Sequence, residues 1–291
     1  MLPENRDMLN FSRRGRGLGS IAKNQHLPNF HWREYLIEGW ALGMFMVSAG
    51  AVTTLIEHPD FGVPALVPDA DVRRALIGLA MGLTAMALIY SPWGKRSGAH
   101  MNPAVTLTFW RLGRVRGADA AGYVAAQFLG GLLGVLLVLA LFGRRFADPP
   151  VAFVATRPAH GAPLAFLLEL MISCGLMSVV LAFSSRARLA PFTGVAAGAL
   201  VAFYIAVEAP FSGMSMNPAR SFASAAPGGS WHALWIYFVA PPLGMLAAAA
   251  IHRRAGSEAG CAKLRHTSDT RCIHCGHEPR ACARASLPAL R

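Results

Sequence analysis

The sequence predicts an all-α membrane protein in which six transmembrane helices and two re-entrant half-helices form inverted three-span repeats. Three observations carry that prediction. The 291 residues are 54% hydrophobic and only 14% charged, against roughly 25% charged in soluble domains. Six apolar runs, at about 34–56, 72–91, 119–142, 163–184, 190–210 and 232–252, each approach the roughly 17–25 residues that a hydrocarbon core demands. Finally, one eight-residue segment occurs twice.

The six runs carry Leu, Ala, Val and Gly on all faces, whereas the outer helices of a soluble bundle would be amphipathic. Basic residues then report topology. With both termini placed in the cytoplasm, 21 of the 27 Lys and Arg fall on the inner side, as the positive-inside rule requires. The net charge of +12 therefore points to anionic lipid headgroups rather than nucleic acid. Residues 1–32 read as a basic cytoplasmic tail without an apolar core of signal-peptide length. Residues 33–253 form the membrane domain, and 254–291 a second cytoplasmic tail. A plasma or inner membrane is the expected location.

The repeat sets the architecture. Ser97-Gly98-Ala99-His100-Met101-Asn102-Pro103-Ala104 matches Ser212-Gly213-Met214-Ser215-Met216-Asn217-Pro218-Ala219 at six of eight positions. Gly78-x-Ala80-x-Gly82 recurs as Gly194-x-Ala196-x-Gly198, and Tyr123-x-x-Ala126-x-x-Leu129-Gly130 as Tyr237-x-x-Ala240-x-x-Leu243-Gly244. The chain is thus a duplicated three-span unit, with repeat one at 33–142 and repeat two at 163–253. Three spans are an odd number, so the second copy enters the membrane from the opposite side. Each Asn-Pro-Ala is followed by too few apolar residues to cross, about Val105–Trp110 and Arg220–Ala225, which predicts half-helices lining a cavity.

Within each motif, Asn suits the N-cap and Pro the first helical turn. Two half-helix N-termini meeting at mid-membrane place two positive dipole ends there. Arg220 follows the second motif at a depth where a charge facing lipid is expensive, so it is expected to face water.

The paired motifs, in the forms Ser-Gly-Ala-His-x-Asn-Pro-Ala-Val-Thr and Asn-Pro-Ala-Arg-Ser, resemble the aquaporin and glycerol-facilitator family over roughly 33–253. The resemblance implies a bundle of six tilted helices whose two half-helices fill a seventh position, assembled as a homotetramer with one pore per protomer. It implies passage of water or small neutral solutes between the amides of Asn102 and Asn217, with Pro103, Ala104, Pro218 and Ala219 completing the pore midplane. It also carries an outer selectivity filter onto Arg220, Ile205, Met214 and Met81, with Gly82 competing for the last position. A His stands opposite the Arg in water-specific members, and here Ile205 replaces it; the two aromatic residues of glycerol facilitators are missing too. Residues 210–221 look closer to the plant branch that admits glycerol, urea or metalloid hydroxides, with a strictly water-selective pore as the alternative.

Glu38 and Glu169 sit at equivalent places in repeat-related spans and are expected to accept hydrogen bonds from buried donors. In the family such acids hold the re-entrant loops, and a proton relay is the alternative. His100 is expected to fix its loop, with pH gating as the alternative. Glu208, near the outer mouth, receives no role.

Cys174 reads as packing. The other cysteines, Cys261, Cys272, Cys275 and Cys282, lie in the tail beside His266, His274 and His277, where thiolates and imidazoles could hold zinc. An unstructured tail without metal is the default expectation. No cofactor and no catalytic group is expected. An intramembrane enzyme lacks a facing Ser–His pair unexplained by the motif, and an ion-coupled transporter would need cation-binding groups where the half-helix N-termini repel cations.

Overall fold

The computed structural model describes residues 30–257, 259–267, 269 and 271–277. Among them, six helices are long and apolar enough to cross a membrane. In chain order these and the half-helices are α1 (Trp32–Glu57), α2 (Ala70–Tyr90), the half-helix α3 (Pro103–Arg111), α4 (Gly117–Phe142), α5 (Ala162–Ser184), α6 (Thr193–Val207), the half-helix α7 (Pro218–Gly228) and α8 (Leu234–Arg254). The expected fold class is the observed one. The fifth span is shorter than its apolar run, because the chain turns at Glu208 and enters a separate short turn at Ala209–Ser212.

Three helix pairs dominate the packing: α1 with α4, its repeat mate α5 with α8, and α2 with α6. The α2–α6 pair shows why the Gly-x-Ala-x-Gly motif recurs. A Cβ on Gly82 would stand 2.6 Å from the Gly198 carbonyl oxygen, and one on Gly198 would stand 2.6 Å from the Gly82 carbonyl oxygen. The two repeat-related glycines therefore meet each other on the pseudo-two-fold axis, in the small-residue mode by which helices approach closely in lipid. The outward face of α4 exposes Leu129, Leu133, Leu137 and Leu141, as expected of a lipid-facing surface. Exposed Trp93, Trp110, Trp231 and Trp235 lie near the ends of spans or half-helices, where amphipathic indoles suit the membrane interface.

The described tail residues from 259 onward depart from expectation. Ala259, Ala262, Lys263, Leu264 and Cys272 are all buried. The Leu264 amide donates to the Gly98 carbonyl at 3.1 Å, so this segment lies on the loop that leads into α3. A composition rich in Arg and Ala gave no sign of the apolar seat that the membrane domain itself supplies.

Candidate pore

The site is built by two loops that repeat each other. Each begins with a left-handed glycine, Gly98 at φ 113° or Gly213 at φ 88°, and continues through non-glycine residues also held at positive φ: Ala99 and Met101, then Met214 and Met216. Each such residue costs of order 1 kcal/mol or more, so something must hold the loops in shape. Two buried carboxylates do so. Glu38 accepts from Ser97 Oγ at 2.6 Å and the His100 amide at 3.0 Å on one oxygen, and from the Met101 amide at 2.7 Å and Gln127 Nε2 at 2.9 Å on the other. Glu169 accepts from Ser212 Oγ at 2.9 Å, the Ser215 amide at 2.6 Å and the Met216 amide at 2.8 Å.

Tyrosines close the same arrangement from outside. Tyr123 donates to the Ser97 carbonyl at 2.7 Å, and Tyr237 donates to the Ser212 carbonyl. Neither tyrosine nor Gln127 was singled out as a site residue from the sequence. For the tyrosines a signal existed in their recurrence at nearly the motif's offset. For Gln127 none did, because Pro241 stands at the corresponding place in repeat two.

The loops end at the two asparagines. Asn102 caps α3 by accepting from the Ala104 amide at 2.8 Å, and Asn217 caps α7 by accepting from Ala219 at 3.1 Å and Arg220 at 3.2 Å. With each oxygen so engaged, each amide nitrogen points the other way. Asn102 Nδ2 donates to the Met216 carbonyl and Asn217 Nδ2 to the Met101 carbonyl, both at 2.7 Å. One N–H of each asparagine is thus spent on the opposite loop. A primary amide carries two, which leaves one per residue for whatever occupies the cavity.

A cavity of about 180 Å³ is lined by both asparagines together with Arg220, Met81, Ile205 and Met214. Met81 faces this space, whereas Gly82 is packed on Gly198. The four residues assigned to the filter by resemblance are therefore brought to one cavity, and three of the four present apolar side chains. Arg220 Nη1 is buried without a hydrogen-bond partner among the described residues, leaving a donor for a polar solute. His100, by contrast, has both ring nitrogens engaged, Nδ1 with Thr106 Oγ1 at 3.0 Å and Nε2 with the Ala262 carbonyl at 2.6 Å.

Glu208 is only 7% exposed and does not line this cavity. Ser212 is near it but closes no hydrogen bond of normal geometry to either oxygen. In the tail, Cys261, His266, Cys272 and Cys275 place their ligand atoms within 4.8 Å of one another. His266 takes the fourth place suggested for Cys282, which lies outside the described residues.

Comparison with known proteins agrees with this geometry. A family model described as "Major intrinsic protein" matches residues 26–252. Similar curated proteins include Aquaporin NIP3-1 of Arabidopsis thaliana, 32% identical over 218 residues that make up 72% of this chain and 64% of the relative. Aquaporin NIP1-1 of Oryza sativa subsp. japonica is 37% identical over 174 residues, 60% of each chain. The match thus spans less than two thirds of these relatives' length. The X-ray structure of the aquaglyceroporin from Plasmodium falciparum shares the fold, with a TM-score of 0.66 at 19% identity, covering 76% of this chain and 94% of that one.

Proposed function

The chain belongs to the major intrinsic protein family, and from that premise we propose that it is a passive channel for water and small uncharged solutes of glycerol, urea or metalloid-hydroxide type that excludes ions and protons. The observation that carries this reading is the reciprocal bonding of Asn102 and Asn217. It fixes two half-helix N-termini tip to tip beside the cavity and leaves one amide N–H of each free. A solute oxygen accepts from those donors, while a cation that has shed its water meets two positive dipole ends. In aquaporin-type pores selectivity comes down to diameter, lining donors and electrostatic barriers.

The filter argues for breadth. Met81, Ile205 and Met214 offer no hydrogen bond to orient water, so Arg220 is the principal donor in an apolar collar. Such a collar suits a molecule with a carbon or metalloid body and hydroxyl groups. We assign Glu38 and Glu169 to holding the loops rather than to proton relay, since loop N–H and O–H groups converge on each acid. We assign both termini to the cytoplasmic side of a plasma or inner membrane and assign the assembly as four protomers each carrying a pore, on the bias of Lys and Arg to one side and the family resemblance.

Stopped-flow light scattering on proteoliposomes tests the reading. Because Leu264 also lines the cavity, wild-type protein and a Leu264→Asp variant are measured in parallel. Water and glycerol flux above that of empty liposomes, without any sodium or proton gradient, is the expected result in at least the variant. Flux that requires an ion gradient would overturn it.

A further inference from the structure

We propose that Cys261, His266, Cys272 and Cys275 bind one zinc-class metal ion, and that this ion folds the tail into a plug seated in the inner mouth of the pore. The plug half of the proposal rests on the channel reading; the metal half does not.

The donor set has the spacing Cys-x4-His-x5-Cys-x2-Cys. Cys261 Sγ and Cys272 Sγ lie 3.5 Å apart, and His266 Nε2 lies 3.3 Å from Cys275 Sγ. A sulfur–sulfur bond is about 2.05 Å long, so the first pair is not a disulfide. A tetrahedron with metal–sulfur distances of about 2.3 Å has edges of about 3.8 Å, close to both separations. The backbone brings the last two donors together. Cys272 to Cys275 form a tight turn, with the Gly276 amide returning to the Cys272 carbonyl at 3.0 Å and Gly276 itself at φ 73°.

Lys263 supplies an independent sign of the ion. It is only 2% exposed, and among the described residues its Nζ reaches a single carbonyl, that of Arg271, at 3.4 Å. Burying an ammonium so poorly partnered is expensive. Three thiolates and one imidazole around a divalent ion carry a net charge of −1, which Lys263 offsets.

Energetics point the same way. Ordering a segment between Cys261 and Cys275 costs backbone entropy, and its described residues form no helix or strand and bury few apolar side chains to offset that cost. Metal coordination supplies folding free energy to segments of this kind.

The ligands flank the contacts that close the pore. Ala262, next to Cys261, accepts from His100 Nε2 at 2.6 Å, and Leu264 bonds Gly98 through its amide while its side chain lines the cavity of the asparagine pair. His274, between Cys272 and Cys275, stacks on His100 with ring centroids 5.9 Å apart and donates to the Ser97 carbonyl at 3.1 Å. Ser97 and His100 are two of the three loop residues through which Glu38 holds the loop. The ion thus fastens a plug to the re-entrant loop itself.

The experiment uses full-length protein in three forms: wild type, Cys272→Ser/Cys275→Ser, and Leu264→Asp. The expected results are one metal ion per wild-type chain and, after cobalt(II) exchange, a thiolate-to-cobalt charge-transfer band with tetrahedral d–d absorption. Both are lost in the double Ser variant and retained in Leu264→Asp. Glycerol flux rises at least about tenfold when wild type is stripped with a high-affinity chelator, as when a mostly closed two-state element becomes mostly open. It rises as far in Leu264→Asp with metal still bound. Folded wild-type protein without stoichiometric metal and without the cobalt band overturns the site. Metal-stripped wild type that stays closed while Leu264→Asp conducts overturns metal control of the plug. No flux from any form refutes the channel and the plug together, while the cobalt spectrum still decides the metal site.

Discussion

Asn102 and Asn217 are joined crosswise: each side-chain amide donates, at 2.7 Å, to the peptide carbonyl that immediately precedes the other. The bond pair makes the two caps one structural unit. Replacing either by Ala removes a helix cap worth about 0.5–2 kcal/mol and strands a buried carbonyl at about 1–3 kcal/mol. Asn102→Ala and Asn217→Ala are each expected to lower stability by about 1.5–5 kcal/mol, and the double variant by less than their sum. Thermal unfolding in detergent measures all three, and full additivity would refute the coupling.

The two loop-holding acids are similar but unequal. Glu38 satisfies four donors, including Gln127, and Glu169 three. Glu38→Gln and Glu169→Gln each turn an acceptor into a donor facing donors, at a cost of about 1.5–3 kcal/mol per charged hydrogen bond. Glu38→Gln should be the more damaging of the two, and Gln127→Leu should narrow the difference. Equal losses of melting temperature would argue against this assignment.

In the Leu264→Asp background, Ile205→His is expected to lower the glycerol-to-water permeability ratio by adding a donor to the cavity that Ile205 lines together with Arg220. Arg220→Ala is expected to raise that ratio and admit an ion leak. Both are read by stopped-flow and by dye-reported ion flux. A ratio unmoved by either change would show that the collar lies elsewhere.

Glu208 lies just beyond the end of α6, and burial raises its carboxyl to about 7 from the usual 4.5. The folded state therefore binds this proton more tightly than the unfolded chain. Its contribution to stability is complete below the unfolded value and is lost as pH rises from about 4.5 to about 7. Wild-type melting temperature should fall across that window, and Glu208→Gln should flatten the slope. An equally steep slope in the variant would assign it to another group.

The spans were legible because a bilayer demands continuous apolar length, and the topology because a three-span duplication must invert. The Gly-x-Ala-x-Gly recurrence announced a close approach, though not that Gly82 and Gly198 would touch each other. That Met81 lines the cavity while Gly82 packs on Gly198 depends on the packing of whole helices, since adjacent helical residues differ in direction, not in spacing. The crosswise bonding of the asparagines was out of reach for the same reason: capping is local, whereas the partner carbonyls belong to the other repeat. The buried tail was missed because its apolar partners lie in the membrane domain. A segment of Cys, His, Arg and Ala shows no core of its own.

The claim at the centre of the account is passive passage of a neutral solute past the asparagine pair. Glycerol and water permeability of proteoliposomes carrying Leu264→Asp protein, measured with no ion gradient and with proton leak followed in the same vesicles, tests it most directly. The account predicts both fluxes well above empty liposomes with proton leak at background. Proton leak rising together with solute flux, or no solute flux from folded protein, would contradict it.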